Sequence, residues 1–153
     1  MHIEFHKKIF LLMISITMLL FTSCKSINQD YKYYDSHCGI VTSSSNGDYY
    51  QIHSEEEKDI FLSNHSLNIQ FLSLLNKYDG NYFSTKYIVI LVMPASSSSV
   101  QYALNDIHIE ENIEFEIKMK RKEISSDDLV NKAFIVEFSK DTSGQDLKLS
   151  FIK

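Results

Sequence analysis

The sequence is poor in the residues that disulfides, tight turns and phosphate-binding loops require. Its 153 residues include four glycines, one proline, two cysteines and no tryptophan. So few glycines could hardly build a phosphate loop, and two cysteines allow at most one disulfide. The motifs of serine hydrolases, zinc proteases and CxxC redox proteins are also missing. The sequence therefore predicts a protein that is not an enzyme, with no catalytic residue, metal ligand or cofactor.

One short segment resembles a metal cluster but is better explained as a helix start. His53 is followed by Ser54 and the acidic triplet Glu55, Glu56 and Glu57. Consecutive carboxylates fan around a helix and cannot converge on one ion. Ser54 with Glu57 three residues later instead forms a capping box, in which an N-cap hydroxyl and a glutamate satisfy free backbone N–H groups. We therefore expect a helix here and no metal.

The charge balance excludes one class of partner. The net charge is −5, so the chain is acidic overall. Nucleic-acid binding draws its affinity from lysine and arginine contacts to phosphates, so an acidic chain argues against it. The sequence predicts no nucleic-acid partner.

The N-terminus has the organisation of an export signal. Lys7 and Lys8 precede thirteen residues, 9–21, that only Ser15 and Thr17 interrupt as mildly polar positions. A membrane-spanning helix needs about 20 apolar residues, so this run is of signal-peptide length instead. Small residues then lead to Cys24.

The stretch Leu20-Phe21-Thr22-Ser23-Cys24 resembles the lipobox of bacterial lipoproteins. The resemblance implies a signal peptide over residues 1–23, cleavage before Cys24 and acylation of that cysteine. The protein would then be a membrane-anchored lipoprotein of the cell envelope, periplasmic or surface-exposed. An ordinary secretory signal or an uncleaved anchor is the alternative, in which case Cys24 is an unrelated thiol.

Residues 24–47 are rich in polar residues and tyrosine and are interpreted as a flexible tether. Acylation of Cys24 would leave Cys38 as the one other cysteine, which we interpret as a packed thiol rather than a nucleophile. Residues 48–153 are then one domain.

The domain pattern indicates helices followed by strands. Leu67, Phe71, Leu74, Leu75 and Tyr78 form one apolar stripe, which predicts a helix over residues 66–78 that Gly80 ends. Residues 87–93 are continuously apolar, which is typical of a strand covered on both faces.

The C-terminal half alternates between apolar and polar residues with a period of two. The alternation shifts at Asn105 and Asp106, which predicts a β-bulge, and it is clearest over residues 113–122. The expected fold is α+β: an antiparallel sheet of about five or six strands, with two short helices packed on one face.

Residues 78–140 resemble the PrcB-like C-terminal domain, a family named after a lipoprotein subunit of a bacterial surface protease complex. The matching features are the Tyr82-Phe83 lead-in, the apolar strand over residues 87–93, the serine-rich reversal, the Asp127-Asp128 loop and the strand over residues 133–139. The resemblance implies a non-catalytic accessory domain, with an envelope protein, such as a protease, as its partner.

Two functions are therefore expected from different classes. The first is a lipid-anchored envelope protein whose domain binds another protein. The alternative is an envelope protein that binds a small ligand or glycan in a pocket between sheet and helices, lined by Tyr82, Phe83 and Tyr102.

Overall fold

The protein has a mixed α+β fold. A computed structural model describes residues 32–42, 44–94, 96–97, 100–121 and 129–153. In chain order the elements are β1 (Tyr33–His37), β2 (Asp48–Ile52), α1 (Glu55–Asn64), α2 (Ile69–Leu75), α3 (Gly80–Phe83), β3 (Lys86–Val92), β4 (Ser96–Ser97), β5 (Val100–Ile109), β6 (Asn112–Arg121), β7 (Leu129–Val130), β8 (Lys132–Ser139), a 3₁₀ turn (Lys140–Thr142) and β9 (Asp146–Ile152).

The strands form two main sheets rather than one. The first has the antiparallel order β1-β8-β3-β2. The second has the order β5-β6-β9, in which β5 and β6 are antiparallel whereas β6 and β9 are parallel. A short two-stranded ribbon pairs β4, which lies between β3 and β5 in the chain, with β7, which lies between β6 and β8. The expectation of a single antiparallel sheet of five or six strands is therefore wrong.

Strand β3 explains why a second sheet is needed. Its residues Ile88, Ile90 and Val92 lie in a core shared with the helices, whereas Tyr87, Val89 and Leu91 lie in a core shared with β5, β6 and β9. Helices cover only one face of a sheet, so the other apolar face requires another layer. The expectation that this strand is covered on both faces is confirmed, because all six of these side chains are at most 1% exposed.

The β-bulge expected in β5 is also confirmed. The pairing of β5 with β6 shifts register between Leu104 and Asp106. Tyr102 and Leu104 before the shift, and Ile107 after it, all point into the core between the sheets. The extra residue thus lets β5 keep its apolar side chains on the buried face.

Within the described residues, three short helices cover the four-stranded sheet, one more than expected. Ser54 caps α1 by accepting a hydrogen bond from the N–H of Glu57 at 3.1 Å, as the capping box predicts. The predicted helix over residues 66–78 is shorter, because Asn68 is the N-cap of α2 and α2 ends at Leu75. Gly80 does not end a helix but begins α3, which Asp79 caps.

The folded unit begins earlier than residue 48, where the sequence-based boundary between tether and domain was set. Strand β1 pairs with β8, and Cys38 and Ile40 are buried in the helix-side core. Residues 33–40 therefore belong to the fold and not to a tether. Cys24 and residues 1–23 lie outside the described residues. Within the described ranges, no helix is long and apolar enough to cross a membrane.

Candidate functional site

An open cleft of about 480 Å³ lies where the edge of one sheet meets the edge of the other. It is bordered by β1 from the four-stranded sheet and by the first residues of β5 from the three-stranded sheet, with the start of α2 at one side. Its lining residues are Asp35, Ser36, His37, Gln70, Ser96, Val100, Gln101, Tyr102 and Lys132.

Lys132 joins the two sheets across this cleft. Its Nζ lies 2.7 Å from Oδ2 of Asp35 on β1 and donates a 2.7 Å hydrogen bond to the backbone carbonyl of Tyr102 on β5. The same Nζ lies 5.4 Å from the centre of the Phe134 ring. The ion pair with Asp35 lies within the four-stranded sheet and matches the lysine charge, whereas the hydrogen bond to the Tyr102 carbonyl connects this sheet to β5.

Local contacts hold the β1 side of the cleft in place. The Tyr33 ring packs edge-on against Phe134 with centroids 6.2 Å apart. The Asn68 side-chain amide donates to the His37 carbonyl, and the Asn68 backbone N–H donates to the Cys38 carbonyl at 3.1 Å. Since Asn68 is also the N-cap of α2, these bonds bring Gln70 to the rim.

The β5 side presents a sheet edge to the cleft. In the described part of the chain β5 has one strand partner, β6, so its other side is an edge. Such an edge carries backbone N–H and C=O groups that no neighbouring strand occupies. The bond from Lys132 shows that the Tyr102 carbonyl is reachable from the cleft. The β5 side of the cleft is thus bordered by a strand edge rather than by a paired strand.

Only one of the three aromatic residues expected in a ligand pocket lies at this cleft. Tyr102 lines it, but Tyr82 and Phe83 pack on the opposite face of the four-stranded sheet, among the helices. The expected pocket between sheet and helices, lined by all three, is therefore wrong. The sheet itself separates the residues.

Cys38 is a buried free thiol, as the sequence interpretation expected. Its side chain is 0% exposed, and its Sγ lies 3.8 Å from the Ile40 carbonyl and 3.7 Å from the Asn131 carbonyl. Burial raises the pKa of the Cys38 thiol above its ordinary value, which disfavours the reactive thiolate.

A second pocket, of about 330 Å³, lies at the turn between β5 and β6 and is largely acidic. Its lining residues are His108, Glu110, Glu111, Asn112, Glu114 and Lys148. No cluster of three or more histidine, cysteine or carboxylate side chains among the described residues is arranged to hold a metal ion.

A tyrosine cluster lies on the helix side, away from the cleft. The Tyr78 hydroxyl donates to Glu137 at 3.1 Å, and the rings of Tyr78 and Tyr82 are 4.7 Å apart. Burial, and secondarily the charge of Glu137, raise the pKa values of both tyrosines well above the ordinary range. These hydroxyls stay neutral and act as packing and hydrogen-bonding groups.

Most of the cleft could not be found by sequence reasoning. Asp35 and Lys132 are 97 positions apart, and nothing local to either residue signals the other. Asp35 also fell within the segment interpreted as a tether. Tyr102 is the one cleft residue that the sequence indicates, because its spacing from Leu104 places both residues on the same face of a strand.

Comparison with known proteins does not place the chain in a family. No protein-family model matches it, and neither the curated proteins nor the solved structures include a match. The function of the cleft is therefore inferred from its geometry and from the sequence motifs.

Proposed function

We propose that this is a lipid-anchored cell-envelope protein whose non-catalytic domain binds another protein at the cleft between β1 and β5. The observation that carries the binding role is the β5 edge, which faces an open cleft large enough to admit part of a partner. The lipobox-like sequence at Cys24 supports the anchor, and the resemblance of residues 78–140 to the PrcB-like domain supports an accessory role in a complex.

The anchor is tested at Cys24. Several acyl chains on one cysteine would hold the protein on a membrane almost permanently, since each buried CH₂ contributes about 0.8 kcal/mol. Cys24→Ala should therefore leave the precursor uncleaved or release the protein from the membrane fraction. Cys38→Ala is the matched control and should be processed as the wild type is. Normal processing and retention of Cys24→Ala would contradict the anchor.

The binding role is tested by reversing charge inside and outside the cleft. Asp35→Lys places a second cation beside Lys132 and should prevent a partner from seating there. Asp106→Lys is the matched control, because Asp106 is also an exposed aspartate, with its carboxylate 3.9 Å from His108, but does not line the cleft.

The readout is copurification from envelopes solubilised in mild detergent, using a C-terminal tag and an unrelated lipoprotein as background. A stoichiometric protein should copurify with wild type and Asp106→Lys but not with Asp35→Lys. A protease subunit as the copurifying partner would support an accessory role in a protease complex. Equal recovery with both variants would contradict the cleft as the binding site.

A second function is supported by the size of the cleft. Small-ligand sites commonly occupy about 300 to 1,000 Å³ and combine apolar walls with a few polar groups. Gln70 and Gln101, which are exposed at the cleft, supply amides suited to hydroxyl groups. A glycan ligand should raise the melting temperature of wild type but not of Asp35→Lys. Absence of any shift across a panel of envelope glycans would argue against this alternative.

A further inference from the structure

We propose that the partner binds as an extended peptide segment that adds a strand to the free edge of β5 at residues 100–104. This inference rests on the proposed protein-binding function and specifies how the partner is held. Strand addition supplies affinity through main-chain hydrogen bonds and specificity through alternate side chains.

The first supporting observation is that the residues of this edge lack the usual protection in their own sequence; Lys132 of the other sheet bonds the Tyr102 carbonyl, and an added strand would displace it. Natural proteins guard free strand edges with charged residues, proline, bulges or very short strands. Residues 100–104 read Val-Gln-Tyr-Ala-Leu, without a charge or a proline. The other edge strands of the two main sheets differ: β1 contains Asp35, β2 contains Asp48 and β9 contains Asp146 and Lys148.

The second observation is that the protection begins where the cleft ends. The bulge between Leu104 and Asp106 interrupts the ladder of β5, and Asp106 itself is exposed and charged. A bulge ends regular pairing and twists an edge away from new partners. The unguarded stretch is thus five residues long, and its first three residues line the cleft.

The third observation concerns the chemistry of the cleft. Its lysine and aspartate already pair with each other at 2.7 Å, so no lone charge is left to attract a small charged ligand. The Tyr102 carbonyl accepts a hydrogen bond from Lys132 of the other sheet, so it points away from β6, and a peptide N–H would bond to it by displacing the lysine. A peptide backbone provides such donors at regular spacing.

The test uses a phage-displayed library of random linear peptides, panned against the full chain in detergent micelles. Enriched peptides are then synthesised with a single backbone N-methyl group at each successive position. A peptide strand on one edge directs every second N–H to that edge. N-methylation at alternate positions should therefore weaken binding by about tenfold, as expected for the loss of roughly 1.4 kcal/mol, whereas the intervening positions should tolerate it.

Protein variants give the complementary test. Gln101→Lys adds a guarding charge to the proposed edge and should weaken the selected peptides by about tenfold or more. Ser150→Lys introduces the same charge on β9, the opposite edge of the same sheet, and should leave binding unchanged.

The outcomes separate the binding mode from the binding function. Gln101→Lys could reduce peptide affinity while N-methylation has the same effect at every peptide position. That result would overturn strand addition but leave protein binding at the cleft in place. Peptides indifferent to Gln101→Lys, or failure to enrich any peptide, would also overturn the inference. Loss of the proposed function itself would instead appear as equal partner recovery with Asp35→Lys and Asp106→Lys.

Discussion

Strands β3 and β5 both contribute apolar side chains to the core between the two sheets, but their surroundings differ. In β3, every residue from Tyr87 to Val92 is buried, and both faces are covered. In β5, exposed and buried residues alternate, one side of the strand has no strand partner within the described ranges, and its first residues border a cleft. The central strand is thus covered on both faces, whereas the edge strand, our proposed recognition surface, borders an open cleft.

The largest effect on stability is expected from a substitution in β3. Leu91→Ala should lower the free energy of unfolding by about 3 kcal/mol, because a fully buried leucine leaves a cavity that rigid neighbours cannot close. Leu104→Ala in β5 is the matched control and should cost about 2 kcal/mol, since an edge strand can relax. Urea unfolding measures both. A larger cost for Leu104→Ala would contradict the assignment of β3 as the structural centre.

The next largest effect is the dependence of stability on pH, which we attribute to Tyr78 in the helix layer that covers β3. Burial first, and then Glu137, raise the pKa of Tyr78 above the ordinary value of 10.0. Below pH 10 both folded and unfolded states keep the proton, so the stabilisation is fully present. Above pH 10 the unfolded chain loses the proton first, and the free energy of unfolding falls by up to about 1.4 kcal/mol per pH unit.

Tyr78→Phe should therefore make the alkaline fall in stability shallower. Tyr49→Phe, on the half-exposed edge strand β2, serves as the control and should retain the wild-type slope. The measurement is the unfolding free energy in urea from pH 8 to pH 11. Identical slopes for both variants and the wild type would refute the role of the buried tyrosine.

A smaller effect is expected at the bridge across the cleft. Lys132→Met removes the ion pair with Asp35 and the hydrogen bond to the Tyr102 carbonyl but keeps most of the aliphatic packing. We expect a loss of about 1 kcal/mol, because both groups of the pair remain partly exposed. Lys148→Met on β9 controls for loss of a positive charge. A loss above about 3 kcal/mol would mean that the bridge is part of the structural core.

The smallest effect on stability is expected from a substitution at the β5 edge. Gln101→Lys should change the free energy of unfolding by less than about 0.5 kcal/mol, since the side chain is exposed on an edge strand. The same variant should strongly weaken peptide binding. A stable but binding-deficient protein would separate recognition at β5 from stability at β3, whereas strong destabilisation would show that the edge is structural.

The sequence was most informative where one strand determines its own environment. The unbroken apolar run over residues 87–93 can be stable only when both faces are covered, and the shift of alternation at Asn105 requires a bulge. Ser54 and Glu57 likewise specify a helix start locally. Each of these features depends on neighbours in the chain, which is why each could be predicted.

Features that depend on distant pairing could not be predicted. The alternation of apolar and polar residues shows which face of a strand is buried but not which sheet the strand joins. The sequence therefore predicts one sheet where the structure has two. The residues of β9 do not reveal that it runs parallel to β6. β1, with the sequence Tyr-Tyr-Asp-Ser-His, has the composition of a linker and becomes a strand through its pairing with β8.

Photocrosslinking in intact cells would show directly whether the β5 edge is the recognition surface. A photoactivatable amino acid is placed at position 101, or at position 150 on the opposite edge of the same sheet. We expect one discrete crosslinked envelope protein from position 101 and none from position 150. Absence of a crosslink at position 101, or the same product from both positions, would contradict this proposal.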